Sequence, residues 1–283
     1  LPYKERLIAA GIIRDSFEPN VWIKILPNNK INVVTAKSEM GQHIRTSIPM
    51  IIAEELEADW SHVNVVQADT HPDKYGSQST GGSGSIRRSY MRLRKAGATA
   101  REMLIKAASI KWNVPIDECK AHMSKVIHSK SKRVFNFGDL VSLAGTLDPP
   151  DEPKLKNEKD FKIIGNSMPG LDTHSRVNGS AKFGLDIRLP NMLYATVLKC
   201  ETFGGSVKSF NSKKAKRING VKDVFEVEGG IAVVATNTWS AIKGQRALEV
   251  DWDHGEFHSW DSKKIKNMME KKSQGKAAIA KDD

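Results

Sequence analysis

The sequence predicts an α+β fold in two parts, and three observations predict it. Residues 21–112 alternate apolar β-type runs with helical patterns. Beyond residue 171 strand-like segments dominate, with two short helical patterns among them. Between the halves, residues 147–161 set Pro149, Pro150 and Pro153 among charges, a composition that favours extended backbone. At 283 residues, each half has room for a core of its own.

Taken in order, residues 1–19 read as a mixed lead-in. Residues 21–26 read as a strand with Val21, Ile23 and Ile25 on one face. The turn signal at residues 27–30 returns the chain as a second strand over residues 31–36, so this is a hairpin. Thr46 or Ser47 can cap the next helix, with Pro49 in its first turn, where a missing N–H costs little. Ile48, Ile51, Ile52 and Leu56 give that helix its apolar face, and it should end near Asp59. Glu54 and Glu55 are adjacent on it, point in different directions and are assigned to solvent. Residues 63–68 form a strand. Residues 89–112 are a long helix, with Leu93, Ala96, Ala100, Leu104, Ala107 and Ala108 recurring at three- and four-residue steps. So many alanines imply a closely packed neighbour. Short strands over residues 114–134 surround a turn at 129–132, and Asn136 can cap a short helix over residues 137–144.

In the second half, strands are expected at residues 181–187, 193–199 and 207–210. A short helix follows at 212–217, with Asn211 as its cap. A hairpin pairs residues 221–227 with 231–235 across Gly229-Gly230. Thr238 caps a helix over 239–247, and residues 248–252 close as a strand. The expected layout is a first domain over residues 1–147, a linker over 148–170, a second domain over 171–255 and a basic tail over 256–283. That tail is either a loose helix or irregular.

The net charge of +11 comes from 44 basic and 33 acidic residues. The lysines are scattered, densest at Lys263, Lys264, Lys266, Lys271 and Lys272, and no aromatic residues interleave them in a nucleic-acid module. A solvated basic surface, or a face toward an acidic partner subunit, accounts for the charge; nucleic acid is not expected. Cys119 and Cys200 form no CxxC pair and read as small buried residues. The four-cysteine loop of an iron–sulfur protein does not occur. No run approaches the roughly 18–20 apolar residues of a membrane span. Compartment stays open between cytoplasmic and periplasmic.

Function is concentrated in two loops, residues 38–43 and 75–85. Each follows a β-type run and precedes a helical pattern, and such loops collect at one end of a sheet, facing a common ligand. Gly81, Gly82 and Gly84 let a backbone come close. The hydroxyls of Ser79, Thr80, Ser83 and Ser85 and the amide of Gln42 can grip polar atoms. No Lys-Ser/Thr follows the glycines and GxGxxG fails on spacing, so neither familiar nucleotide fingerprint is present. The glycine-rich loop is either an anion cradle or a surface connector. Arg87 and Arg88 are expected in the first turn of the long helix, where the dipole disfavours them unless an anion is near; a plain surface location also explains them. His43 is a lone histidine in the first loop, and no metal-binding pair or catalytic triad emerges from spacing.

Three blocks together carry a family resemblance: Glu39-Met40-Gly41-Gln42, residues 47–56 (Ser47-Ile48-Pro49 to Leu56) and residues 75–85 (Tyr75 to Ser85). They resemble the large, molybdenum-binding subunit of the isoquinoline 1-oxidoreductase type, within the xanthine dehydrogenase/aldehyde oxidase family. Residues 93–98, 155–157, 177–190, 220–224 and 238–244 continue the similarity, which spans residues 19–255.

The resemblance implies part of a molybdopterin-binding domain followed by an α/β hammerhead domain. It implies that Gly41 and Gln42 hydrogen-bond a molybdopterin, usually the cytosine dinucleotide. Thr80, Ser83 and Ser85 would bind pterin or phosphate atoms, and Gly81 and Gly82 would lie beside the molybdenum. The complete enzyme would oxidise an N-heterocycle or an aldehyde with water as oxygen source, passing electrons to a small [2Fe-2S] subunit. His43 departs from the glycine common in the family and is expected to narrow the approach to the cofactor. The family's catalytic glutamate lies in a Gly-x-Gly-Glu turn that does not occur here. The sequence therefore reads as an N-terminal portion needing a remaining C-terminal half. The alternative is a cofactor-free scaffold that binds partner subunits.

Overall fold

The computed structural model describes residues 15–276 and residue 278. Most of the lead-in and the last residues of the tail lie outside the described residues. The fold mixes helices and sheets in two compact units, which divide after Ala181.

In the first unit, β1 (Phe17–Asn20), β2 (Ile23–Ile25), β3 (Ile31–Thr35) and β4 (Val63–Gln67) form one sheet in that order. The first three pair antiparallel. β4 joins β3 in parallel, with Ile31 opposite Val63 and Thr35 opposite Gln67. A parallel pair requires a crossover, and helix α1 (Ile44–Leu56) supplies it. β3 and β4 therefore end on the same side, and both functional loops leave from there. Ile23, Ile25, Ile31 and Val33 are buried. Val21 is not part of the strand; Asn20 turns its side chain back to accept the Trp22 N–H at 3.0 Å, and pairing resumes at Ile23.

A single turn, α2 (Pro72–Tyr75), precedes the glycine-rich loop, and the 23-residue helix α3 (Tyr90–Trp112) follows it. α3 lies along α1. A Cβ on Gly97 would stand 2.6 Å from the Ile52 carbonyl oxygen, so the two helix backbones meet where only glycine fits. Ala100, Leu104, Ala107 and Ala108 of α3 are buried without residual exposure. β5 (Cys119–His122), β6 (Lys125–His128) and β7 (Val134–Asn136) make a small antiparallel sheet. Asn136 caps the next turn in a capping box with Asp139, leading into α4 (Val141–Ala144).

α1 departs from expectation twice. It starts at Ile44, so Pro49 lies inside the helix and not in its first turn. Glu54 and Glu55 are buried to 1% and 0% exposure, whereas solvent was expected. They do point in different directions, but both directions are covered. Glu55 Oε1 pairs with Arg94 of α3 at 2.7 Å, and its Oε2 accepts the Lys156 N–H at 3.0 Å. Glu54 Oε2 accepts three consecutive N–H groups, from Lys162 (2.8 Å), Ile163 (2.6 Å) and Ile164 (3.0 Å), while its Oε1 pairs with Lys156. Burial pushes the Glu54 carboxyl up, but Lys156 and those N–H groups outweigh it and hold the group below the usual range. The stretch expected as a linker is thus tied down on the first unit over residues 154–164. The unit continues through α5 (Thr173–Val177).

In the second unit, β8 (Tyr194–Lys199), β10 (Val221–Val227) and β11 (Gly230–Ala235) form an antiparallel sheet ordered β10-β11-β8. β9 (Ser206–Asn211) pairs with β12 (Glu249–Asp253). Between them lie α6 (Lys213–Lys216) and α7 (Thr238–Arg246). Asn237, not Thr238, caps α7, accepting the Ser240 N–H at 2.8 Å. Ala215, Val224, Ile231 and Val233 are the buried centre. The strand expected at residues 181–187 is absent: Gly184–Asp186 is a single 3-10 turn in which Asp186 accepts the Phe183 N–H, and Leu185 is 90% exposed. In the tail, Ser262–Ser273 form helix α8, capped by Asp261.

Candidate functional site

The first loop is held by one residue that sequence reading passed over. The Glu39 carboxylate accepts N–H bonds from Gly41 (2.8 Å), His43 (3.1 Å) and Arg45 (3.2 Å), and Arg176 of α5 approaches it at 3.3 Å. Those of His43 and Arg45 are N–H groups that a helix start leaves without partners, and Glu39 satisfies them where α1 begins at Ile44. Burial pushes the Glu39 carboxyl up; the backbone donors outweigh burial and hold it below the usual range. The loop needs this support, because Gly41 (φ 101°) and His43 (φ 59°) both have positive φ. The Gln42 amide braces the same turn: its Oε1 accepts the Met40 N–H at 2.6 Å and its Nε2 donates to Ser38 O at 2.9 Å. One lone pair and one N–H of that amide remain for another partner.

The second loop is anchored by Gln78, which accepts the His71 N–H at 2.7 Å and donates to Asp69 O at 2.9 Å. Gly82 (φ 56°) and Ser83 (φ 50°) form a left-handed pair, closed by the Gly84 N–H on Gly81 O at 3.2 Å. Two links join the loops. Lys37 Nζ donates to Ser77 O (2.6 Å) and Ser79 O (2.9 Å), and Thr80 Oγ1 donates to Ser38 O (3.3 Å).

A cleft of about 380 Å³ lies between them, lined by Gln42, Thr80, Gly81, Gly82, Ser83 and Ser85. Six of the seven sequence-predicted residues thus share one cleft. Gly41 does not line it; its role is the turn. Met40 and Ile86 add apolar surface. A Cβ at Gly81 or Gly82 would meet nothing within 4 Å, so the space above this backbone is open. Hydroxyls, an amide and bare backbone beside an apolar wall are a donor set for a flat, polar heterocycle. Gly81 and Gly82 also border a second cavity, of about 390 Å³. Among the described residues no three His, Cys, Asp or Glu side chains converge as metal ligands.

Two expectations are corrected here. Arg87 and Arg88 precede α3 in a turn, and of these two cavities Arg88 borders the second and Arg87 neither. His43 borders neither; its ring lies against Gly170, where a Cβ would stand 2.4 Å from Nδ1. Glu39 and Lys37 were missed. Glu39 had a faint signal, an acid just ahead of a helix start. Lys37 had none, because its partners lie 40 and 42 residues away.

Comparison with known proteins shows the family. The model of the molybdopterin cofactor-binding domain matches residues 2–187. A membrane-bound aldehyde dehydrogenase (pyrroloquinoline-quinone) of Gluconacetobacter polyoxogenes is 34% identical over 255 residues, covering 85% of this chain and 33% of that protein. The beta subunit of isoquinoline 1-oxidoreductase from Brevundimonas diminuta is 28% identical over 287 residues, covering 87% and 37%. A nicotinate dehydrogenase subunit of Pseudomonas putida is 28% identical over 242 residues, covering 82% and 20%. The chain spans little more than a third of the length of these relatives, or less.

Proposed function

Because this chain belongs to the molybdopterin cofactor-binding domain family, we propose that its two loops hold a molybdopterin in a molybdenum hydroxylase subunit. One observation carries the reading: Gln42, Thr80, Gly81, Gly82, Ser83 and Ser85 border a single cleft. When bound, the group supplies the redox centre that takes two electrons from a substrate. The chain's own residues bind and orient it. Gln42 keeps one N–H and one lone pair for the ligand; Thr80, Ser83 and Ser85 bring hydroxyls; Gly81 and Gly82 keep side chains out of the space above. Gly41 sets the turn that aims Gln42. The cytosine dinucleotide is the form we assign.

The substrate class is an N-heterocycle or an aldehyde, following the names of the relatives. The catalytic glutamate, on this reading, belongs to a C-terminal half outside this chain, and a small [2Fe-2S] subunit is the electron acceptor. Within the second unit, residues 182–255 correspond on this reading to the hammerhead domain. Among the described residues no helix is long and apolar enough to cross a membrane.

The test is cofactor analysis of the protein purified with its flanking sequence. Molybdenum and an extractable pterin are expected, and Gln42→Ala should lower both. Unchanged molybdenum in that variant would remove Gln42 from the site. One relative is named for a quinone cofactor, so the extract is also assayed for quinone redox cycling; a quinone without molybdenum would replace the proposal. A defined complex with a small subunit and neither cofactor would favour the scaffold reading.

A further inference from the structure

The second cavity has a different chemistry from the first. Lys37, Arg88 and Arg92 border it with Ser77, Ser79 and Ser89, and no acidic side chain does. Three like charges border one cavity without a counter-charge in its lining, Arg88 and Arg92 exposed and Lys37 half-buried. Burial first, then Arg92 and Arg88, hold the Lys37 ammonium below the usual lysine range.

The three groups are also positioned. The Arg92 guanidinium lies 5.0 Å from the centre of the Trp22 ring, and Trp22 packs at 5.5 Å on Tyr75. A Cβ on Gly84 would come within 3.0 Å of Arg88 Nε, so a glycine there lets Arg88 lie along the loop. Lys37 is fixed by its bonds to Ser77 O and Ser79 O, with a third N–H left over. α3 begins at Tyr90, one residue beyond Ser89 in the cavity wall, and brings the positive end of a long helix to the same place.

We propose that this cavity is a phosphoryl-binding site in which Lys37, Arg88 and Arg92 hold a phosphate or diphosphate group. Two guanidinium forks suit phosphate oxygens, and three cations suffice to neutralise the two negative charges of a diphosphate diester or those of free pyrophosphate. The site stands without the neighbouring cleft; only the source of the phosphate, a cofactor's arm or a free anion, rests on the function proposed above.

The protein, purified with its flanking sequence, is acid-extracted for phosphorus and pterin fluorescence, then titrated calorimetrically with sodium pyrophosphate at low ionic strength. Phosphorus in the extract, or one pyrophosphate site per chain, is expected. Arg88→Ala and Arg92→Ala should each weaken retention or affinity about tenfold, the scale of one charge-assisted contact. Arg92→Lys should recover part of the loss. Arg87→Ala removes the same charge from a neighbour outside the cavity and should change nothing. Thermal melts establish that each variant is folded. Phosphorus accompanied by pterin identifies the cofactor's arm, and phosphorus alone a free anion. Neither phosphorus nor a titratable site in the folded wild-type chain overturns the proposal, as does an Arg87→Ala loss equal to that of Arg88→Ala. A pyrophosphate site in a chain without pterin keeps this proposal and weakens the cofactor reading. Pterin held equally by wild type and both variants, with no pyrophosphate effect, does the reverse.

Discussion

The first unit uses charge in two opposite ways. Around Glu54 and Glu55 every charge is answered: Lys156, Arg94 and Arg101 face the two carboxylates, and backbone N–H groups take the remaining lone pairs. At Lys37, Arg88 and Arg92 positive charges converge and no acid borders them. A closed network does its work within the fold, holding residues 154–164 against α1. An open one leaves its charges free for a ligand that supplies the opposite sign. The two also differ in burial: Glu54 and Glu55 lie inside the fold, whereas Arg88 and Arg92 are exposed and open to a ligand.

The comparison breaks first at Glu54. Glu54→Ala leaves Lys156 paired with Glu57 alone and takes the acceptor away from the N–H groups of residues 162–164, of which Ile163 is buried; breaking a buried pair from one side typically costs about 3–5 kcal/mol. Denaturant unfolding checks it; a loss under about 1 kcal/mol would place the clamp with ordinary surface pairs. Gly97→Ala comes next. Its methyl meets the Ile52 carbonyl at 2.6 Å, and overpacking of this kind costs about 1–3 kcal/mol. A neutral result by thermal melting would mean that α1 and α3 separate freely.

Acid should open the clamp. Glu54 and Glu57 are held below the usual range, both by Lys156 against the opposing effect of burial. Groups with depressed folded pKa values give stability that is present above their unfolded pKa, about 4.3, and is lost as pH falls through the folded values. Melting temperature should therefore drop below that range, and less steeply in Glu54→Gln. Lys156 works at the other end. Burial lowers it, but Glu54 and Glu57 outweigh burial and raise it, so its contribution is lost only as pH climbs above the usual lysine range. The smallest effect is expected from Arg87→Ala, an exposed side chain with no place in either network: within about 0.5 kcal/mol of wild type.

The regular elements were legible because their signals are local. Leu93 to Ala108 gave the long helix, and the paired hydrophobic runs on either side of Gly229-Gly230 gave the second unit's hairpin. The six cleft residues were legible for the same reason, since each sits in a loop whose flanks announce a strand and a helix. Glu54 and Glu55 were not, because their burial is decided by Lys156 and residues 162–164, more than a hundred residues on. The α1 start was missed because Glu39 satisfies backbone groups up to six residues ahead of it, with no side-chain motif to mark the fact. The absent strand near Leu185 had the apolar residues of a strand but has no pairing partner.

The parallel pairing of β3 and β4 has a consequence for when the cleft exists. Its walls are stitched by Lys37 to Ser79 and Ser38 to Thr80, each across 42 residues of chain. Closing so long a segment costs entropy that is recovered only once the crossover helix has docked and the sheet has formed. No local fragment of the chain can display the site, and ligand competence should vanish together with the last of the sheet's protection against hydrogen exchange. Whatever loads this domain meets it as a finished fold or not at all.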